Sequence, residues 1–386
     1  MSKERGFLSP RTIFGSGSLA SIGAEAGRFG VRRVAVFTTK GVFNSVSATA
    51  ITSSLEKEGV SSSFFTDIEP EPSVSTAEKA LAFIKESGAE GVIGVGGGSV
   101  MDVAKAAAAA ATNNGLAACA GINSAKSPAL PMILVPTTAG TGSEATTVSV
   151  LIDAQGKKFV IYSRHLLPST ALIDPLLTHT MPKDVTVHSG MDALCHAVES
   201  YLSVNSSKTS EAMALSAISL IAEALPAAAK DPSNASARHD MSLAAHLAGV
   251  AMTNSGAEVD GCPIAGAGIT HAVGLAIGAR YSLPHGLSVG MVLPHAMNAL
   301  KESSRSRLES VGNAIAGRPD ADAAIDKINK IMLESGMKRS IRECGKGGSA
   351  DIEGIVNDSL SAKRLLVNCS REISKDDMQQ IVGMIM

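Results

Sequence analysis

Strand-like and helix-like segments alternate through the first half of this 386-residue chain. Short runs rich in β-branched and apolar residues predict buried strands, and these runs lie at 34–38, 61–67, 91–99 and 131–138. Helix-forming segments separate them, over 45–58, over 75–87 and from Met101 onward. Because neighbouring parallel strands need a long crossover connection, usually a helix, this alternation predicts a parallel α/β sheet.

The pattern changes near residue 180. From about Lys183 onward the strand signal nearly vanishes, and long segments rich in Ala, Leu, Met and Glu predict helices, for example over 210–229 and 321–334. We therefore predict two domains, an α/β domain over 1–180 and an all-helical domain over 181–386.

Composition argues against several classes of partner and location. A net charge of −2 does not suit nucleic acid or an anionic membrane as the main partner. The longest apolar run, Ala106 to Ala111, is far shorter than the roughly 20 residues of a membrane span, so we expect no transmembrane segment. We also expect no secretory signal, because MSKERGFLSP has no apolar core. Five scattered cysteines without a CxxC pair predict a reducing, cytoplasmic setting.

Two polar loops follow predicted strands. GGGSVMD, at 96–102, ends one strand and opens a helix, whose free N–H groups attract anions. PTTAGTGSE, at 136–144, follows another strand and supplies hydroxyl groups that suit pyrophosphate and ribose. Each loop alone is also consistent with a turn that binds nothing, and the GxGxxG fingerprint is absent. Two such loops after apolar strands favour a nucleotide.

Four side chains in the second half form a candidate metal site. Asp192 and His196, in HSGMDALCHAVES, are four residues apart and would share one face of a helix. His271 and His285 follow in THAVGLAIGARYSLPHG. One carboxylate and three imidazoles suit Fe²⁺, Zn²⁺ or Mn²⁺. A lone histidine is more often structural, and we interpret the remaining ones in that way: His165, His179, His188, His239, His246 and His295.

These motifs, in this order and at these distances, closely resemble the iron-containing alcohol dehydrogenases, from FGSGSLASIG to LPHAMN. The resemblance implies a nucleotide-binding α/β domain, an all-helical domain, and a cleft that holds NAD or NADP and one divalent metal ion, with Fe²⁺ expected. The implied metal ligands are Asp192, His196, His271 and His285. The implied cofactor-binding residues are Thr39, Gly97, Gly98, Ser99, Asp102, Thr137, Thr138, Thr141 and Lys158.

The chain departs from the family pattern at three places. Leu275 stands where many members have a histidine that helps to move protons, so another group, such as water or a ribose hydroxyl, must replace it. GAEVDGCPIA, at about 256–265, resembles an insertion beside the active site. The substrates of family members therefore do not predict the substrate of this chain. Thr39 and Lys40 follow the first predicted strand where NAD-preferring members often have Asp, which leaves room for the 2′-phosphate of NADP.

The resemblance implies an alcohol dehydrogenase or aldehyde reductase. Its metal ion would act as a Lewis acid on the substrate oxygen while hydride passes between substrate and nicotinamide. Three alternatives stay open: a dehydroquinate-synthase-like lyase that uses NAD and a metal, a metal-dependent hydrolase, and a non-catalytic nucleotide-binding protein. We expect a small alcohol or aldehyde as substrate, no nucleic acid and no membrane as partner, and a homo-oligomer, since family members commonly associate.

Overall fold

The chain folds into two compact units in a computed structural model that describes residues 6–44, 46–346 and 352–386. The first unit comprises the residues up to Thr138 together with Gly142–Thr178 and Glu258–Ile264. The second comprises Ala139–Thr141, His179–Ala257 and Ala265–Met386. Two short segments, 139–141 and 258–264, therefore belong to a different unit from their sequence neighbours.

The first unit is built on a parallel sheet. The strands in the described residues are, in chain order, β1 (Arg11–Phe14), β2 (Arg33–Phe37), β3 (Ser61–Phe65), β4 (Gly91–Gly96), β5 (Gly121–Ile122), β6 (Met132–Pro136), β7 (Val148–Ile152), β8 (Lys158–Tyr162), β9 (Thr170–Ile173), β10 (Glu258–Val259) and β11 (Cys262–Pro263). Six of them form one sheet in the order β1-β9-β6-β4-β2-β3, with every neighbouring pair parallel. The prediction of a parallel sheet is confirmed, and the four predicted strands are β2, β3, β4 and β6.

Helices cover both faces of this sheet. They are α1 (Ile22–Gly27), α2 (Lys40–Phe43), α3 (Val46–Lys57), α4 (Val74–Ser87) and α5 (Gly98–Thr112). Successive residues of a strand point to opposite faces, so Val92 packs with α4 and α5, whereas Ile93 packs with α1 and α3. The helix predicted over 45–58 is α3, although Ser45 lies outside the described residues. The helix predicted from Met101 begins earlier, at Gly98.

Two smaller β-structures were not predicted from the sequence. Strands β5, β8 and β7 form a three-stranded sheet in which β7 and β8 pair antiparallel around a turn with Gly156 at φ 75°. Strands β10 and β11 form a hairpin within the 256–265 segment, where Asp260 and Gly261 adopt φ values of 50° and 72°. The segment interpreted as an insertion therefore contains a hairpin, and its residues 258–264 belong to the first unit.

The second unit consists of helices, and its described residues contain no β-strand. The helices are α6 (Lys183–Leu202), α7 (Lys208–Lys230), α8 (Ala235–Thr253), α9 (Ile269–Tyr281), α10 (His285–Ala299), α11 (Arg305–Ala316), α12 (Ala321–Ser335), α13 (Ile352–Ser361), α14 (Lys363–Leu366) and α15 (Lys375–Ile385). The helices predicted over 210–229 and 321–334 are α7 and α12. The predicted combination of an α/β region followed by a helical region is confirmed.

Helix α7 is long and apolar enough to cross a membrane, which differs from our expectation based on uninterrupted apolar runs. Half of its most apolar stretch, 50%, is buried inside the protein. Ile218, Ile221 and Leu225 recur every three or four residues and are fully buried in the contact with α6 and α8. This face of α7 therefore belongs to the apolar core of the helical unit.

Candidate functional site

Three helices supply the four predicted metal ligands. Asp192 and His196 lie one turn apart on α6, as their spacing predicted. His271 lies in the first turn of α9, and His285 is the first residue of α10. The fold thus brings together residues that are up to 93 positions apart in the chain (285 − 192 = 93). We call these four residues the histidine–aspartate cluster.

A glycine allows α10 to start beside α6. Pro284 is the N-cap residue of α10, and Gly286 is the second residue of the helix. A Cβ added to Gly286 would overlap the backbone carbonyl of His188 and come within 3.3 Å of the Asp192 Cβ. The first turn of α10 can therefore approach α6 this closely only with glycine at 286.

The ligand atoms of the cluster surround one carboxylate oxygen. Asp192 Oδ1 lies 3.6 Å from His196 Nε2, 3.7 Å from His271 Nε2 and 3.5 Å from His285 Nε2. The ligand atoms of Asp192, His271 and His285 all lie within 4.8 Å of one another. The His196 and His271 rings are stacked, with centroids 4.9 Å apart. Three members are buried, whereas the side chain of His285 is 38% exposed.

This arrangement fits a divalent metal ion. Four ligand atoms at about 2.1 Å from a tetrahedral ion are about 3.4 Å apart. The three distances from Asp192 Oδ1 to the imidazole nitrogens, 3.5–3.7 Å, are close to this value, although His196 lies outside the tighter group of Asp192, His271 and His285. Asp192 Oδ1 and His271 Nε2 are buried and have no hydrogen-bond partner among the described residues. Buried polar atoms are normally paired, so two such atoms that face each other at 3.7 Å indicate a site for a cation.

The pKa values of the cluster reflect burial and mutual attraction. Burial alone would raise the pKa of Asp192, but the neighbouring imidazoles, His196 foremost, hold it well below its usual range. Burial lowers the pKa of His196, which favours the neutral ring that binds metals. Burial also opposes a charge on His271, but Glu199 and Asp192 raise its pKa to about 10. The site therefore holds an ionised carboxylate and attracts positive charge.

Sequence reasoning missed Glu199, which contacts the cluster. Its Oε2 lies 2.5 Å from His271 Nδ1, and it is buried on α6 three residues after His196. A pattern within the α6 sequence could have identified Glu199. The spacing 192, 196, 199 continues the same helix face by one turn, and a buried acid needs a partner there.

The ends of β4 and β6, where the two predicted nucleotide loops begin, lie side by side at the carboxyl edge of the first unit's sheet. Strands β4 and β6 pair so that Gly96 is opposite Pro136. A Cβ added to Gly97 would lie 3.4 Å from Thr138, and Thr137 N donates to the Gly96 carbonyl at 3.0 Å. Gly98 and Ser99 open α5, whose N-cap, Gly97, supplies no side-chain cap. First-turn N–H groups have no acceptor within their own helix, so this loop suits an anion.

Asp102 anchors the second loop from within α5. Its Oδ1 accepts from Ser143 Oγ at 2.8 Å and its Oδ2 accepts from Val150 N at 3.0 Å. Lys105, one turn further along, is completely buried, and its Nζ lies 3.7 Å from Asp102 Oδ1. Burial raises the pKa of Asp102 despite this lysine. Lys158 is exposed at the start of β8.

The other predicted cofactor residues lie in separate places. Thr39 is half-buried, follows β2, and is the N-cap residue of the short helix α2. Lys40 beside it forms an exposed ion pair with Asp67 at 3.5 Å. Thr141 belongs to the second unit, unlike the other predicted cofactor residues. Leu275, at the family's proton-relay position, packs against the apolar core of the helical unit.

Comparison with known families assigns both halves of the chain. Residues 9–175 match the family described as iron-containing alcohol dehydrogenase. Residues 186–386 match the C-terminal region of the Fe-containing alcohol dehydrogenase family. The two matches together span most of the chain.

Individual relatives agree with these matches. The long-chain-alcohol dehydrogenase 1 of Geobacillus thermodenitrificans (strain NG80-2) is 35% identical over 392 residues, covering 99% of this chain and 96% of that protein. The structure of an alcohol dehydrogenase from Oenococcus oeni superposes with a TM-score of 0.91 at 30% identity, covering 99% of this chain and 100% of the other. A sulfoacetaldehyde reductase from Bifidobacterium kashiwanohense, solved in complex with NAD⁺, gives 0.88 at 30% identity, covering 99% and 98%.

Proposed function

The chain belongs to the iron-containing alcohol dehydrogenase family and is an alcohol oxidoreductase, and on this premise we propose that the histidine–aspartate cluster binds one divalent metal ion. The observation that carries the proposal is the convergence of three imidazole nitrogens within 3.5–3.7 Å of Asp192 Oδ1. Fe²⁺ is the ion that the family name suggests, and Zn²⁺ or Mn²⁺ also suits this ligand set.

The proposed reaction interconverts a small alcohol with its aldehyde or ketone. A metal ion in the cluster supplies a Lewis acid for the substrate oxygen, and a nicotinamide dinucleotide supplies or accepts hydride. Asp192 would contribute a negative charge that retains the ion. Because the imidazoles are neutral, the ion would keep one net positive charge for the substrate oxygen. Leu275 carries no titratable atom, so proton exchange relies on water or a ribose hydroxyl of the cofactor.

For the dinucleotide we propose contacts at the two loops predicted from the sequence, 96–102 and 136–144. The backbone N–H groups at Gly97, Gly98 and Ser99 would bind the pyrophosphate, as helix N-termini commonly do. The remaining proposed contacts come from hydroxyl, carboxylate and lysine side chains: Thr39, Asp102, Thr137, Thr138, Thr141 and Lys158. The NAD⁺ complex of the sulfoacetaldehyde reductase supports NAD, whereas the absence of an acid at Thr39 leaves room for NADP.

The setting is also part of the proposal. We place the enzyme in the cytoplasm as a homo-oligomer that acts on a small-molecule substrate, with neither nucleic acid nor a membrane as partner. The net charge of −2 and the scattered cysteines, none of them in a CxxC pair, support this setting.

The test is a metal-reconstituted activity screen. Protein treated with a chelator is supplied separately with Fe²⁺, Zn²⁺ and Mn²⁺, and nicotinamide absorbance at 340 nm is followed with a panel of alcohols, aldehydes and ketones. We expect stoichiometric cofactor turnover that depends on the added metal. A lyase of the dehydroquinate-synthase type would consume substrate without net change at 340 nm, and a hydrolase would need no dinucleotide.

A variant pair connects this activity to the cluster. His285→Ala removes one proposed ligand and should abolish both metal binding and activity while the fold is retained. His295→Ala, on the same helix α10 and outside the cluster, is the matched control and should retain both. Full activity of a metal-free His285→Ala protein would refute the proposed metal site.

A further inference from the structure

Glu199 is a buried carboxylate that contacts the opposite edge of the His271 ring from Asp192. It lies on α6, seven residues and about two turns after Asp192, and is 6% exposed. A buried carboxylate is costly unless several donors hydrogen-bond to it. The identity of those donors therefore indicates what Glu199 does.

The hydrogen-bond donors to Glu199 lie at the start of α9. Glu199 Oε1 accepts from Thr270 N at 2.7 Å and from His271 N at 3.4 Å. Its Oε2 accepts from His271 Nδ1. One carboxylate thus binds both the backbone and the ring of the same residue, which fixes the ring relative to its own helix.

The start of α9 depends on this carboxylate. Its N-cap residue is Gly268, which has no side chain that could accept from the first N–H groups. A Cβ at Gly268 would lie 3.3 Å from Glu199 Oε1, so the glycine also makes room for the acid. Glu199 therefore provides from α6 the capping that α9 lacks, and its negative charge suits the positive end of that helix.

The bond to the ring determines which nitrogen of His271 is available. A carboxylate can only accept, so Nδ1 carries the proton. When the ring is neutral, as it must be to bind a metal ion, Nε2 is the nitrogen with a free electron pair, 3.7 Å from Asp192 Oδ1. Capping alone would need only the two backbone bonds, so the bond to the ring requires a separate explanation.

The other described groups around Glu199 are largely apolar or uncharged. A small pocket adjoins the carboxylate and is lined largely by apolar side chains, among them Leu202 and Leu293. Burial raises the pKa of the adjacent Cys369 thiol to about 12, so that side chain is not an anion. The carboxylate therefore directs its charge at α9 and His271.

We propose that Glu199 is a positioning residue that fixes the ring orientation and tautomer of His271, and thereby sets the affinity of the cluster for its divalent metal ion. A carboxylate on the far nitrogen of a ligating histidine orients the ring and makes its metal-binding nitrogen more basic. This inference rests on the proposed function, because it assumes that the cluster binds a metal ion.

The first test measures metal affinity without reference to activity. Co²⁺ binding to chelator-treated wild-type protein and to Glu199→Gln is measured by competition with a chromophoric chelator. Gln has nearly the same shape but no charge, so we expect a 10- to 100-fold weaker affinity, as for other such partners. Ser374→Ala is the matched control, because it removes the side-chain cap of α15 without touching the cluster. Its affinity should stay within twofold of wild type.

The outcomes separate this inference from the proposed function. If wild-type protein fails to bind Co²⁺, the proposed metal site and the role of Glu199 are both wrong. If wild-type protein binds Co²⁺ and the affinity of Glu199→Gln is within twofold of the wild-type affinity, only the proposed role of Glu199 is wrong.

A second measurement does not depend on the variant folding. ¹⁵N spectra of zinc-loaded wild-type protein report which ring nitrogen of His271 carries a proton. A proton on Nδ1 is the expected result, whereas a proton on Nε2 would overturn the inference.

Discussion

Gly286→Ala tests whether the close approach of α10 to α6 creates the metal site. The added Cβ would overlap both the carbonyl oxygen and the carbonyl carbon of His188, which are backbone atoms in the middle of a helix. Backbone cannot rotate away as a side chain can, so the first turn of α10 must move, by about 1 Å or more. His285 is the residue immediately before Gly286 and moves with it.

The size of the effect follows from this displacement. Overpacking of a buried contact costs about 1–3 kcal/mol of unfolding free energy. Metal ligands tolerate only about 0.2 Å of error in bond length, so a shift of about 1 Å at His285 should weaken metal binding at least tenfold. Urea unfolding in the presence of a chelator measures the first quantity, and chelator competition for Co²⁺ measures the second.

Gly383→Ala is the matched control. Gly383 lies in α15, and a Cβ there would meet no atom within 4 Å. Alanine is the better helix former, so this variant should be as stable as wild type or more stable by up to about 0.5 kcal/mol, with unchanged metal affinity. If Gly286→Ala behaved like Gly383→Ala in both assays, our account of the α6–α10 contact would be incorrect.

Three further predictions concern other parts of the chain. Lys105 Nζ donates to the Ser143 carbonyl at 2.8 Å, to Thr146 Oγ1 and to the Val148 carbonyl, so Lys105→Met should lower the unfolding free energy by about 2–4 kcal/mol in urea titrations. Asp377 accepts two bonds from Arg371, which hold its pKa below the usual range. Because its folded pKa is lowered, its stabilisation is complete above the unfolded pKa of about 3.9 and is lost as the pH falls below it. Asp377→Asn should therefore lower the unfolding free energy by about 1 kcal/mol at pH 7. In unfolding curves, the difference in unfolding free energy between wild type and Asp377→Asn should become smaller as the pH falls below about 4. Thr39→Asp should shift the ratio of kcat/KM values toward NAD at least tenfold, because an acid repels the 2′-phosphate of NADP; an unchanged ratio would reject that role.

Patterns of neighbouring residues were sufficient to predict several buried strands and the spacing of side chains along one helix. Runs such as 91–96 and 132–136 are apolar at every position because helices cover both faces of a parallel sheet, and the prediction succeeded there. The spacing of Asp192 and His196 also needs only the helical repeat. Their proximity to His271 and His285 depends on tertiary structure, and it was predicted from the resemblance to a family rather than from sequence spacing.

Several features were missed for different reasons. Strands β7 and β8 carry short apolar runs, VSVLI and KFVIY, on either side of a polar turn, and both runs were overlooked in the sequence although they resemble the strands predicted from it. Helix α7 was predicted as a helix, but three scattered polar positions interrupt its apolar residues, so an expectation based on uninterrupted apolar runs underestimated its overall hydropathy. Glu199 could be noticed on α6, yet its partner, the start of α9, lies about 70 residues further along the chain.

Charge balance connects the two buried acids to the kind of ion the cluster can hold. With Asp192 and Glu199 ionised and three imidazoles neutral, the buried groups carry −2, and a divalent cation brings the sum to zero (−2 + 2 = 0). A monovalent ion would leave one unbalanced negative charge and a trivalent ion one positive charge, each costly in a region with little water. Removing only the charge of Glu199 would leave the metal-bound site at +1 (−1 + 2 = +1), so Glu199→Gln should penalise the bound state electrostatically even where the ring stays in place. The first turns of α9 and α10 each supply a histidine of the cluster, so the positive ends of both helices lie near it and make the second carboxylate more necessary to a cation there.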